Sequence, residues 1–252
     1  MSSNKVVIVT GVSRGIGRAI VLHLLSKDVS VVGVDLNKDG LQKLIDEVAQ
    51  LSFSVKLIPV VGDITLEAVQ QDAVSKAIFS GTLVALVNNA GTIQPIESVE
   101  TISLTAFEAQ LRLNVVTPLA LIQKTLPYLR AINGRIINIS SDASKYPLVN
   151  HAAYGATKAA LSYITSVLAI EEPDITTIAF HPGVVDTPLC SAMEEEFQKV
   201  GERAKASVDF IASMKIGAEV PGRIIGNLAI GAEHSLSGRY IAYNHDDLAK
   251  YV

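Results

Sequence analysis

Near the N-terminus runs Val6-Val7-Ile8-Val9-Thr10-Gly11-Val12-Ser13-Arg14-Gly15-Ile16-Gly17. Its first four residues are apolar and uninterrupted. That pattern suits a strand covered on both faces, the situation of a parallel sheet. Gly11, Gly15 and Gly17 then permit a tight turn, and Gly15 to Lys27 reads as a helix. A strand that passes through a glycine-rich turn into a helix offers backbone amides and the positive end of a helix dipole to an anion. The glycines also let a diphosphate approach the backbone. The spacing is G-x-x-x-G-x-G rather than the usual G-x-G-x-x-G of dinucleotide turns. Taken alone, the run is also compatible with a tight turn that holds nothing.

The rest of the chain repeats the alternation. Val29 to Val34, Val55 to Val60, Leu83 to Val87, Arg135 to Ile139 and Ile175 to Phe180 read as further strands. Helices are predicted over Asp39 to Gln50, Leu66 to Phe79, Leu104 to Arg130 and Ala153 to Glu171. Leu104 to Arg130 contains Pro118, so a kink or break is expected near Val116-Thr117, and Pro127 predicts a second bend. Pro188 to Val208 and Val208 to Ile216 are helical in composition, Ala218 to Ile230 is a further helix, and Ser237 to Ala242 is a last strand. With no linker or repeat, 1–252 reads as one α/β domain, a doubly wound parallel sheet with helices on both faces. The segment 188–216 is expected to cover a substrate pocket.

Composition narrows the function. The 252 residues carry a formal net charge of −4, which supplies no basic field for nucleic acid or a membrane surface. No apolar run approaches the length of a membrane span. Met1-Ser2-Ser3-Asn4-Lys5 leads straight into the first strand without a signal-like segment. Cys190 is the single cysteine, so neither a disulfide framework nor a thiolate metal cluster is expected, and a reducing, cytoplasmic setting fits. No histidine and carboxylate cluster suggests a metal. Asn138-Ile139-Ser140 matches a glycosylation acceptor but lies in a predicted buried strand.

Several residues fall where a dinucleotide would meet the strand ends. Asp35 closes the second strand, where a carboxylate can accept hydrogen bonds from ribose hydroxyls and would repel a 2′-phosphate. It favours NAD(H). Arg14 pulls toward NADP(H), because a cation there can pair with that phosphate. Asp63-Ile64 follows the third strand and is placed to meet the adenine edge. Asn88-Asn89-Ala90-Gly91 follows the fourth, where small residues let a cofactor lie against the backbone. Farther on, Tyr154 and Lys158 stand one turn apart on one helix face. A fixed ammonium beside a phenol favours phenolate and is expected to lower the tyrosine pKa. Alone, such a pair reads as an ordinary surface tyrosine and a solvated lysine.

Together these pieces resemble the short-chain dehydrogenase/reductase family over essentially the whole chain. The matches are Thr10-Gly11-x-x-x-Gly15-x-Gly17, Asp63, Asn88-Asn89-Ala90-Gly91, Asn114, Ser141, Tyr154-x-x-x-Lys158 and Pro182-Gly183. Each is weak, but their order and spacing are specific. Ser140-Ser141-Asp142-Ala143, Gly183-Val184-Val185-Asp186-Thr187 and Tyr240-Ile241-Ala242-Tyr243-Asn244 look most like fungal benzil-reductase and sepiapterin-reductase-like members. That branch typically uses NADPH, and Asp35 departs from it.

The resemblance implies a Rossmann fold and a catalytic set of Asn114, Ser141, Tyr154 and Lys158. Ser141 is preferred over Ser140 because the family's serine usually stands ~13 positions before the tyrosine; the two serines point to opposite sides of a strand, so only one can face the site. It also implies that the turn from Gly11 through Ser13, Arg14, Gly15 and Ile16 to Gly17 holds the cofactor. Asp35, Asp63, Ile64, Asn89, Ala90, Gly91, Tyr154, Lys158, Pro182, Val185 and Thr187 complete that set. Within it, Val185 and Thr187 would hold the nicotinamide carboxamide, and Asn114 would keep a water that feeds protons toward Lys158. The expected partner is a small-molecule carbonyl or alcohol, with no nucleic acid and no membrane. Asp142, Ala143, Tyr146, His151, Leu189 and Met193 are candidates to line its pocket, and His181 is expected to be structural. A homodimer or homotetramer is expected through the Leu104 to Arg130 and Ala153 to Glu171 helices. The rivals are a 3-oxoacyl carrier-protein reductase, which the acidic Glu194-Glu195-Glu196 disfavours, and a non-catalytic dinucleotide-binding sensor or scaffold.

Overall fold

The computed structural model describes residues 4–200 and 213–252. Strand β1 is Lys5–Thr10. It is followed by β2 (Ser30–Asp35), β3 (Leu57–Val61), β4 (Thr82–Asn88), β5 (Arg135–Ile139), β6 (Thr176–His181) and β7 (Arg239–Ala242). All pairings are parallel and the order across the sheet is β3-β2-β1-β4-β5-β6-β7. The chain winds outward from β1 to β3, returns to place β4 on the other side of β1, and winds outward again. The reversal opens a crevice at the C-terminal ends of β1 and β4, where open α/β sheets take their ligands.

Two layers of helix explain why the strands are apolar throughout. Val7 and Val9 face α1 (Gly15–Ser26), α2 (Lys38–Ala49) and the later helix Glu219–Gly231. Val6 and Ile8 face α3 (Glu67–Ser80) and the helices Thr117–Arg130 and Ala152–Glu171. All four valine and isoleucine side chains are fully buried. Predicted bounds shift slightly: β2 and β6 begin and end one residue later than read, and β3 spans Leu57–Val61 rather than Val55 to Val60.

The expected helix Leu104 to Arg130 is three pieces. Leu104–Leu111 (α4) passes into a π-helical turn, Arg112–Val116, and then into α5 (Thr117–Arg130). Thr117 N donates to Arg112 O, closing the wider ring. Pro118 therefore falls in the first turn of α5, where its missing N–H is tolerated. Pro127 lies within α5, which continues to Arg130. The helix α6 (Ala152–Glu171) ends before Pro173 as expected.

After β6, α7 (Pro188–Val200) is the first part of the predicted covering segment. The stretch read as helical from Val208 lies mostly outside the described residues. Its return is anchored: Ile216 N donates to Val184 O at 2.9 Å and Asp186 N to Ile216 O at 3.0 Å. Lys215 Nζ lies 2.8 Å from Glu194 Oε2. Glu194, one of the three consecutive acidic residues, is thus an ion-pair partner. The helix α8 (Glu219–Gly231) and β7 complete the sheet's flank. Asn138 is fully buried in β5, where it donates to Thr165 Oγ1 at 2.9 Å and accepts from Asn88 Nδ2 at 2.8 Å. Among the described residues no helix is long and apolar enough to cross a membrane.

The start of α1 is pressed against the turn that precedes it. A Cβ on Gly17 would stand 2.0 Å from Gly11 O and 2.7 Å from Asn89 Nδ2. Gly17→Ala is therefore expected to lower stability by about 1–3 kcal/mol through overpacking. A lower urea midpoint at unchanged slope would show it.

Candidate active site

The glycine-rich turn is built by left-handed backbone and held by side chains of its neighbour. Gly11 and Gly15 have φ of 72° and 54°, conformations that favour glycine. Asn89 Nδ2 donates to Thr10 O at 2.8 Å and to Gly11 O at 3.0 Å. Thr10 Oγ1 accepts from Asn89 N at 3.1 Å and Ala90 N at 2.9 Å. Gly11 N donates to Val34 O at 2.8 Å. The turn is thus fixed to β4 on one side and β2 on the other.

Asp35 stands at the mouth of the crevice. Its Oδ2 accepts from Ser13 N at 2.8 Å and its Oδ1 from Asn37 N at 2.8 Å. The Ser13 amide is therefore directed at Asp35 rather than left open for a phosphate. Arg14 is exposed. Asp63 Oδ1 accepts from Thr65 N at 2.9 Å, which pins the turn after β3. A Cβ on Gly15 would lie 3.0 Å from Thr187 Cγ2, so the segment after β6 closes over the glycine turn.

These residues line one cavity of about 1660 Å³. Its wall runs from Gly11 and Asp35 past Asn89 to Ser141, Tyr154, Lys158 and Thr187. That volume exceeds the usual range for one drug-sized ligand and leaves room for a dinucleotide together with a small substrate. The glycine cradle, the helix end and the carboxylate at β2 fit a nicotinamide dinucleotide.

Tyr154 and Lys158 rise from the first turns of α6 and are both buried. Lys158 Nζ donates to Ile139 O at 2.7 Å and lies 5.7 Å from the Tyr154 ring centroid. Burial alone pushes the lysine down to about 8. It pushes the tyrosine up to about 12, with a hydrogen bond from Ser141 acting in the opposite sense. The expected lowering of the phenol by its ammonium neighbour is not what this geometry produces. Desolvation of the buried phenol sets the direction instead.

The two serines separate as their alternation requires. Ser140 is buried, 2.7 Å from Ser162 Oγ on α6. Ser141 points to the cavity and accepts from Ala143 N at 3.2 Å, starting a short 3₁₀ turn. Asn114 is carried inward by the π turn. Its Oδ1 accepts from Thr92 N at 3.0 Å, and its Nδ2 donates to Thr92 O at 2.8 Å and Thr157 Oγ1 at 3.1 Å. It stands behind Gly91 rather than on the cavity wall, where a Cβ would be 3.1 Å from its Oδ1 and 3.7 Å from Lys158 Nζ. Both amide hydrogens are engaged, so Oδ1 alone has capacity left toward a water.

Asp142, Ala143, Tyr146, Leu189 and Met193 line the cavity, as do Gly17, Ile16, Ile64, Ala90, Pro182 and Val185. His151 does not. It is buried, its Nδ1 2.8 Å from Val149 O, its ring 4.9 Å from Phe197 and edge-on to Tyr154 at 6.2 Å. His181, expected to be structural, does reach the cavity. Sequence reasoning missed the parts that act at long range. Thr10 and Thr157 carried no local signal beyond their motifs, and Thr92, Phe197 and Tyr240 are joined to the site only by folding. Among the described residues no group of three His, Cys, Asp or Glu is arranged to hold a metal.

The comparisons with known proteins agree with this geometry. The family model "short chain dehydrogenase" matches residues 5–198. An uncharacterised oxidoreductase of Saccharomyces cerevisiae, YIR035C, is 34% identical, covering 98% of this chain and 99% of its own. Its crystal structure superposes with a TM-score of 0.86 at 32% identity, over 98% and 99% of the two chains. A benzil reductase ((S)-benzoin forming) of the same yeast is 30% identical over 97% of each chain. A blue fluorescent protein from a metagenomic library, solved in complex with NADPH, gives a TM-score of 0.79 at 28% identity over 94% and 95%. With glycine turn, strand order and the Tyr154–Lys158 face all in place, the chain belongs to the short-chain dehydrogenase family and is an NAD(P)-dependent oxidoreductase.

Proposed function

We propose that the protein reduces the carbonyl of a small ketone or diketone, in a reversible exchange with the corresponding secondary alcohol. One observation carries this reading: Tyr154, Lys158 and Ser141 line the same crevice as the glycine turn, and the Ser141 and Tyr154 side chains are joined by a hydrogen bond. A benzil reductase among the relatives supports it.

The bound dinucleotide supplies the hydride. Tyr154, protonated across the physiological range because burial holds its pKa up to about 12, donates its proton to the developing alkoxide. Ser141 donates a hydrogen bond to the same oxygen and fixes its position. Lys158 places positive charge near the phenol as it becomes phenolate, and its tie to Ile139 O sets its direction. Asn114 holds the Thr92 segment and Thr157 in register, and its Oδ1 can retain a water on the Lys158 side. Thr187 and Val185 wall the cofactor end, and α7 closes the substrate side through Leu189 and Met193.

We further infer a preference for NAD(H). The Asp35 carboxylate is fixed by two amides at the end of β2 and would repel a 2′-phosphate, and it stands against Arg14, which is exposed on the wall of the same cavity. Exposed Val116, Leu119, Tyr163 and Ile170 around α5 and α6 support a homo-oligomer.

Tyr154→Phe is expected to cut turnover at least a thousandfold, on the order of removing a positioned proton donor, with nucleotide binding retained by calorimetry. Wild-type turnover in this variant would dismiss the assignment. For carbonyl reduction, kcat/KM reports the free enzyme. It should be level below pH 8 and fall about tenfold per unit above it, as Lys158 loses the proton that burial makes labile. Asp35→Ala should shift the ratio of kcat/KM for NADPH over NADH upward by about tenfold or more, measured on one substrate with both cofactors.

A further inference from the structure

Beyond Tyr154 the cavity is mostly apolar. Ile93, Ala143, Leu148, Leu189, Met193 and Met214 line it. Against them stands an acidic corner. Of the carboxylates that line the cavity among the described residues, Asp35 and Asp63 belong to the ends of β2 and β3. Asp142 instead follows Ser141 directly, in the 3₁₀ turn that Ser141 caps.

Asp142 is half-exposed and held from two other strands. Tyr240, on β7, donates its hydroxyl to Asp142 Oδ1 at 2.6 Å. Nε2 of His181, at the end of β6, lies 3.3 Å from Oδ2. The two rings stack 6.3 Å apart at 10°, and Lys145 Nζ sits 3.7 Å from the centre of the Tyr240 ring. A carboxylate so fixed cannot swing away to solvent without breaking contacts to both strands. It has about four acceptor positions, of which Tyr240 and His181 take two. Burial lowers the pKa of His181, with Asp142 opposing and Lys145 reinforcing that shift. Burial thus favours the neutral imidazole, a weaker partner for the carboxylate than imidazolium would be.

We propose that Asp142 is a specificity-determining residue that accepts a hydrogen bond from a hydroxyl or amino group on the substrate arm next to the carbonyl. The substrate class is then an apolar ketone bearing one such donor. The inference rests on the carbonyl-reductase reading and adds the donor to it. An apolar arm without a donor would strip water from the carboxylate and return nothing, and an anionic arm would meet like charge.

The test uses matched aryl alkyl ketones that carry a hydroxyl, a methoxyl or a carboxylate at the same position of the arm. kcat/KM is measured for each with the cofactor that supports turnover, in wild type and in Asp142→Asn. The wild type is expected to favour the hydroxyl over the methoxyl ketone by about tenfold and to disfavour the carboxylate. In Asp142→Asn, which keeps one weaker, uncharged acceptor, the first ratio should fall and the carboxylate should gain. A wild-type ratio near one, or a ratio that survives the substitution, overturns the role of Asp142 while carbonyl reduction stands. Failure of the wild type to turn over any of the three overturns the reductase reading itself. Should Asp142→Asn not fold, Asp142→Ser, also neutral, is read by the same two outcomes.

Discussion

Everything at the crevice depends on how Asn89 holds the glycine turn. Its carboxamide reaches back from the end of β4 and bonds two successive carbonyls of a loop that lies far away in sequence. Without that tie, a turn of left-handed glycines would be among the most mobile parts of the molecule. With it, the end of β1 becomes a rigid shelf, and α1 begins at a fixed place with its amides aimed at the crevice. The parallel pairing of β1 with β4 supplies the geometry, and the side chain supplies the stiffness. The same logic holds at the other end, where Asn114 grips both backbone groups of Thr92.

Burial is the second organising force, and it acts on Tyr154 and Lys158 in opposite directions. Removing a phenol from water favours its protonated form, and removing an ammonium from water favours its neutral form. The pair therefore starts as a strong proton holder beside a weakened cation. Such a pair is suited to a reaction in which charge appears only as the proton leaves, because the dry surroundings then make the ammonium's field most effective. The hydrogen bond from Ser141 works in the same direction, lowering the phenol from where burial alone would put it.

Much of this could be read from the chain, for identifiable reasons. Val6 to Val9, fully buried from both sides, announced a central parallel strand by having no polar face. Asp35, Gly91 and the Tyr154–Lys158 spacing were legible because each motif is short and its meaning is local. Ser141 over Ser140 came from the spacing to Tyr154 that the family resemblance implies, with strand alternation allowing only one of the two to face the crevice. What escaped was set by long-range contact or by small changes of helical pitch. The π turn at Arg112–Val116 has no distinctive composition, and Pro118 suggested a break where the helix only widens. The burial of His151 depends on Phe197, many residues on, and the Asp142 corner depends on Tyr240 at the far edge of the sheet. The tyrosine shift runs opposite to the sequence expectation because the spacing of two residues says nothing about how deeply the fold buries the phenol.

The π turn imposes a constraint of length rather than of chemistry. An α-helix advances about 100° per residue, so a single extra residue rotates all that precedes it relative to all that follows. Here the offset lets Asn114 turn inward while Val116 and Leu119 remain on the outer surface. Side chains along α4 and α5 are therefore kept in phase by the count of residues between them. Substitutions in this region change one contact at a time, whereas losing a single position would misalign two whole helical surfaces at once.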